Sequence, residues 1–278
     1  MRAKAGIILV LLLSAWLGGC SSLRLAYDNA DAYARWRIDS YVTLQGEDAD
    51  ALDEKIDEFH AWHRRHELPK LAALAKQASQ RLDAGLSPAD LVWGYDSLRV
   101  RAGASLHKGA ELIAPLLDRL TPEQIAQIER RMAEDNRKFF RDRLRGTEGE
   151  RREKRARFVV DRLEDWVGKL SQAQVERVRE FSERAPLTDE LRDRDRKRLQ
   201  RDVVAILRAR EAAQRLPERA AHWERGREPA FVAQLDSWRQ AYFAMLIDLE
   251  RSLAPEQRAR RQRNLRRYIE DFEALAAQ

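Results

Sequence analysis

Apolar residues recur along this chain every three or four positions and almost never every two. Tyr27, Ala30, Ala34, Ile38, Tyr41 and Val42 keep that spacing, as do Leu52, Ile56, Phe59 and His63. This period lays one apolar stripe along a helix, and it leaves no alternating run that could become a half-buried strand. Charged residues make up 35% of the 278 positions, with only 12 Gly and 8 Pro to interrupt helices. The expected fold is all-α, an extended antiparallel bundle or array of helices. No Gly/Ser-rich linker divides the chain, so residues 20–278 are expected to form one helical domain.

Punctuation refines this reading. A first helix is predicted over 25–45, closed by Gly46, and a second is expected to begin near Asp50. Ser87-Pro88 predicts a helix start, with serine as the cap and proline at the first helical position. Gly103 and Gly109 are expected to weaken the stretch that follows. Gly146-Thr147-Glu148-Gly149 reads as a turn, and 216–229, with Pro217, Gly226 and Pro229, reads as a connection. Three helix starts share a Leu-x-x-x-Gln frame: Leu120-Thr-Pro-Glu-Gln124, Leu170-Ser-Gln-Ala-Gln174 and Leu253-Ala-Pro-Glu-Gln257. Good N-termini resemble one another, and a glutamine three residues after the cap can complete a capping box.

Residues 1–19 read as a secretory signal. Arg2 and Lys4 precede an apolar run, Ile7 to Leu17, too short for the roughly 20 apolar residues of a spanning helix. Leu17-Gly18-Gly19-Cys20 resembles the lipobox of bacterial lipoproteins, and Cys20 is the only cysteine. The resemblance implies cleavage between Gly19 and Cys20, diacylglycerol on the Cys20 thiol and an N-acyl chain such as palmitate on the new amine. Several acyl chains anchor stably where one binds reversibly. Ser21 in place of aspartate implies sorting to the outer membrane, on its periplasmic face. A cysteine consumed by lipid leaves no disulfide in the fold.

Two further resemblances bear on function. Tyr27-x-Asn29, Trp36-Arg-Ile-Asp-Ser-Tyr41, Trp62-His-Arg-Arg-His-Glu-Leu-Pro69 and Trp166-Val-Gly-Lys-Leu-Ser171-x-x-Gln174 together resemble an uncharacterised family of Gram-negative lipoproteins. That resemblance implies a lipidated helical envelope protein and carries no activity. Leu120-Thr121-x-x-Gln124 resembles the LTxxQ motif of Spy-like periplasmic chaperones, which implies binding of unfolded clients on a helical cradle.

The formal charge is +6, with acids interleaved among the bases, as in Arg192-Asp-Arg-Asp-Arg196. Such alternation marks solvated, ion-paired helix faces and argues against a nucleic-acid partner. Two clusters stand out: Arg151, Arg152, Arg155 and Arg157, and Arg258, Arg260, Arg261 and Arg263, followed by Arg266-Arg267. Guanidinium groups so placed could meet lipid or lipopolysaccharide phosphates, but solvated helix faces are the expectation for both clusters. His60, His63 and His66, with Glu67, could share a helix face that holds a metal. Phe59 and Trp62 in the same stretch favour packing instead, so no metal is expected there; His107 and His222 stand alone. The chain has no phosphate loop, nucleophile elbow or HExxH. The expectation is therefore a non-enzymatic, lipid-anchored protein without cofactor, contacting the membrane through its anchor. Its expected role is to bind an envelope component or unfolded clients; the alternative is a scaffold bound to an envelope assembly or peptidoglycan.

Overall fold

A computed structural model of the chain describes residues 22–278, so the expected signal and Cys20 lie outside the described residues. The described chain is all-α, with no strand. The helices run α1 (Ser22–Asp28), α2 (Ala30–Asp39), α3 (Glu47–His66), α4 (Leu68–Asp83), α5 (Pro88–Leu117) and α6 (Pro122–Phe139). A π-helical turn, Phe140–Leu144, follows α6. Then come α7 (Glu148–Val167), α8 (Gln172–Arg184), α9 (Asp189–Ala209), α10 (Ala212–Ala221), α11 (Pro229–Arg251) and α12 (Pro255–Ala276).

Caps set most boundaries. Ser87, Thr121, Thr147 and Ser171 each accept from the backbone N–H three residues on, and each receives the reciprocal bond. Gly146-Thr147 is thus a helix entry, Thr147 with Glu150, where the sequence suggests only a turn. The first helix is two: Asn29 interrupts it and Asp39 ends it. The second begins at Glu47, not Asp50, with Glu47, Asp48 and Asp50 favourably placed in its first turn.

The apolar stripes meet in two buried clusters. One joins Val42, Ala114, Leu120, Ile125, Ile128, Val204, Ile206, Leu207 and Ala212. The other joins Val159, Val167, Leu170, Val178, Phe181, Ala185, Met245, Leu249 and Leu253. α12 packs on α4, where Gln262 accepts from Ser79 Oγ at 3.2 Å and donates to Asp83 at 2.6 Å. It also meets α1, through an Arg24–Asp271 ion pair of 2.7 Å. The first and last described helices are therefore neighbours.

The three Leu-x-x-x-Gln frames are tertiary joints as well as caps. Leu120, Leu170 and Leu253 are all buried. Gln174 accepts from Ser171 N–H at 2.9 Å and Gln257 from Ala254 N–H at 3.0 Å, each closing the start of its own helix. Alanine has no side-chain acceptor, so the third frame makes only half a capping box. The two glutamine amides face each other and exchange two hydrogen bonds of 3.0 Å. Each also reaches across to the carbonyl that precedes the other frame's leucine, Gln174 to Ser252 and Gln257 to Lys169, both at 3.0 Å. Gln124 does the same for Thr43 O, at 3.1 Å.

The stretch 216–229 departs from expectation, because Pro217 sits inside α10. Neighbours hold this helix in place. The Asp118 carboxylate, at the end of α5, accepts from Ala212 N–H at 2.6 Å and Ala213 N–H at 2.9 Å. These are donors that the first turn of any helix leaves open. Gly103 lets α10 approach α5 so closely that a Cβ there would lie 2.9 Å from Ala221 O. α5 runs unbroken through Gly103 and Gly109 for 30 residues. Beyond α10, the buried Asp195 carboxylate pins the connection to α9. It accepts from Arg198 at 3.0 Å, from Glu228 N–H at 2.9 Å and from Arg227.

Candidate functional site: a basic, aromatic cleft

The three histidines find protein partners. His60 Nε2 lies 3.2 Å from Tyr27 O, and Tyr27 Oη lies 3.0 Å from His63 Nδ1. Arg64 stacks over the Tyr27 ring, and His66 packs on Trp62. His60 and His63 are neighbours that share Tyr27, whereas His66, six residues from His60, lies about 120° away around the helix. Among the described residues, no group of three or more His, Cys, Asp or Glu is placed to hold a metal. Glu67 is buried beside Lys70, at 2.8 Å, and Arg101, at 3.6 Å. His107 Nδ1 lies 3.0 Å from Pro217 O, and His222 pairs with Glu218 at 3.1 Å.

The two arginine clusters disperse. Arg258 and Arg261 both engage Glu250, Arg260 rests against Gly168, and Arg263, Arg266 and Arg267 point to solvent. In the first cluster Arg157 is exposed. Arg152 and Arg155 cap the C-terminal end of α8 from α7. Arg152 donates to Glu183 O at 2.6 Å and Ala185 O at 2.9 Å; Arg155 donates to Pro186 O at 2.7 Å and Ala185 O at 2.8 Å. Helix ends leave such carbonyls open, and cations there complement the dipole. Burial, with Arg152 close by, pushes the Arg155 guanidinium down to about 10.

Arg151 turns instead into a cleft of about 530 Å³. Its walls are the π-helical turn (Asp142, Arg143), one face of α7 (Arg151, Lys154, Arg155, Phe158, Val159, Arg162), the start of α9 and the middle of α11. Six cationic side chains line it: Arg143, Arg151, Lys154, Arg155, Arg162 and Arg192. Among the described lining residues the acids are Asp142 and Asp189, and Glu190 stands next to them. Arg151 is largely buried and pairs with Glu190 at 3.1 Å, but its Nε and Nη1 are buried without a hydrogen-bond partner. Lys154 donates to Asp142 O at 2.7 Å and so ties α7 to the π-helical turn. On the opposite wall, Trp238 and Tyr242 stack with centroids 5.1 Å apart, backed by Phe181. Burial pushes the Tyr242 phenol up. Phe158 is half exposed under Arg162, whose guanidinium lies 5.4 Å from the ring. A local π-helix re-aims side chains and is frequent at functional sites. The arrangement can hold an anionic group among the guanidinium and ammonium donors, with an apolar or ring-shaped portion on the aromatic wall.

Only part of this cleft is visible in the sequence. Arg151, Lys154, Arg155, Phe158 and Arg162 share a helical face by spacing. Arg143, Arg192, Trp238 and Tyr242 come from three other elements, and no local pattern joins them to it.

Comparison with known families matches residues 40–224 to a family of unknown function (DUF6279). The chain belongs to this family. The DUF6279 match runs from the end of α2 to just past α10 and includes every cleft residue except those on α11. No curated protein and no solved structure matches the chain. Among the described residues, no helix of this DUF6279 member is long and apolar enough to cross a membrane.

Proposed function

We propose that this protein is a lipid-anchored component of the bacterial envelope, facing the periplasm from the outer membrane, that binds an anionic envelope component without transforming it. The anchor rests on the Leu17-Gly-Gly-Cys20 motif. The binding role rests on the cleft: Arg143, Arg151, Lys154, Arg162 and Arg192 against Asp142 and Asp189, an arginine with two buried donors unsatisfied, and an aromatic wall, Arg155 being taken up by the end of α8. A buried donor left without a partner costs about 1–3 kcal/mol, so a turn of the Arg151 side chain that brings these donors to a ligand oxygen recovers stability. The chemistry suits an amphipathic molecule whose phosphate or carboxylate meets arginine while its apolar part lies on Phe158, Trp238 and Tyr242.

Native mass spectrometry of the protein purified from envelopes tests this. The wild type is expected to carry a phosphate- or carboxylate-bearing amphiphile that Arg143→Glu/Arg192→Glu loses. Both positions lie on the cleft rim, so the fold should tolerate the change. Equal retention by the double variant, or no anionic adduct on either protein, would overturn the cleft as the binding site.

A chaperone-like second reading draws on α5, which leaves Val92, Leu98, Val100 and Leu106 about half exposed. Suppression of a model client's aggregation by the wild type, lost in Leu98→Ser/Leu106→Ser but kept in the arginine variant, would favour it.

A further inference from the structure

α1 and α2 form almost one rod. Only Asn29 separates them: its side-chain amide donates to Leu25 O at 2.7 Å, at the end of α1, and its carbonyl accepts from Tyr33 N–H at 3.0 Å, at the start of α2. Its inner side is fully engaged. Tyr27 meets the α3 histidines, and Arg35 reaches Asp31 and Asp53 at 2.7 Å and Asp57 at 2.5 Å. Ile38 and Tyr41 pack against the first buried cluster. The outer side carries Leu25, Tyr33 and Trp36, which are 63%, 61% and 62% exposed. Tyr33 and Trp36, three residues apart, share a face of α2, and Leu25 is the exposed apolar residue of α1. The Tyr33 and Trp36 rings touch, with centroids 5.5 Å apart. Nothing in the fold of the described residues buries these three side chains, although each would gain from leaving water.

What lies next to this face is set by chain length. Cys20 precedes Ser22 by two residues, and so short a span reaches no further than about 7 Å. An acylated Cys20 therefore holds the start of the rod at the bilayer surface. Tyrosine and tryptophan prefer that interface, where an apolar ring with one polar tip is solvated at both ends. Asp28 and Asp39 are exposed along the same rod, so the face suits headgroup depth rather than the hydrocarbon core.

We propose that α1–α2 lies along the membrane surface with Leu25, Tyr33 and Trp36 seated among the lipid headgroups, so that the anchor fixes the orientation of the domain as well as its location. This rests on the reading of Cys20 as lipidated. The rod lacks the cationic face of a self-sufficient interfacial helix, so the lipid supplies the affinity and the rod supplies the orientation.

Full-length protein matured in a Gram-negative host and added to phosphatidylethanolamine/phosphatidylglycerol vesicles with brominated acyl chains tests the proposal, since bromine quenches nearby tryptophan. The wild type is expected to be quenched relative to unbrominated vesicles, Trp36→Phe to lose most of that quenching, and Trp166→Phe to keep it. The mass of the N-terminal peptide reports lipidation separately. A lipidated protein that Trp36→Phe leaves equally quenched, or that shows no quenching, overturns the seating while the anchor stands. A non-lipidated protein quenched through Trp36 overturns the anchor and supports the seating. A non-lipidated, unquenched protein overturns both.

Discussion

His63 shows how one side chain couples packing to pH. It lies between Tyr27 of α1 and the rings of Phe59 and Trp62, with His60 and Glu67 on its own side. Burial holds its imidazole below the ordinary 6.5; His60 adds to this and Glu67 opposes it. A base whose folded-state pKa is depressed is destabilised by protonation. The contribution is fully present above about 6.5 and is lost as the pH falls from there through the lower folded value. Urea unfolding of the wild type should therefore weaken between pH 7 and pH 5, and His63→Gln should flatten that dependence. An unchanged pH slope in the variant would remove His63 from this role. Gln174 and Gln257 make the opposite kind of contact, neutral and pH-insensitive, in which two amides satisfy each other and four backbone groups.

Among the elements, α5 carries the clearest contrast. Gly94 and Gly103 both lie inside this helix, where glycine costs roughly 1 kcal/mol relative to alanine. A Cβ at Gly94 meets nothing within 4 Å, whereas one at Gly103 would sit 2.9 Å from the backbone of α10. Gly94→Ala should raise stability by about 0.5–1 kcal/mol, from helix propensity alone. Gly103→Ala should lower it by about 1–3 kcal/mol, because a backbone carbonyl yields less readily than a flexible side chain. Thermal melts of the two variants, read side by side, check the assignment; matching shifts would show that α10 does not depend on the close approach. The same contact explains how α10 tolerates Pro217: its start is satisfied by Asp118 and its length is packed on α5.

At the scale of the whole molecule, the family match ends at residue 224, but the core does not. Met245, Leu249 and Leu253 complete the second buried cluster, and Leu265, Ile269 and Leu275 of α12 are buried as well. A chain cut to residues 40–224 should lose its cooperative thermal transition and aggregate, since Val178 and Phe181 would face water. Circular dichroism melts compared with the full chain check this, and a sharp transition in the fragment would show that 40–224 folds alone. The all-α class, the helix starts at Ser87, Thr121 and Ser171 and most buried stripes were legible in the sequence by itself, because helical period and caps are local. The tertiary structure alone decided three things: that Pro217 lies in a helix, that Arg151 enters a cleft while Arg152 and Arg155 close a neighbouring helix, and that Trp238 and Tyr242 form the far wall of that cleft. Each depends on which distant segment supplies the missing donor, carbonyl or ring, and the 3.6-residue period says which face is apolar, never what will cover it.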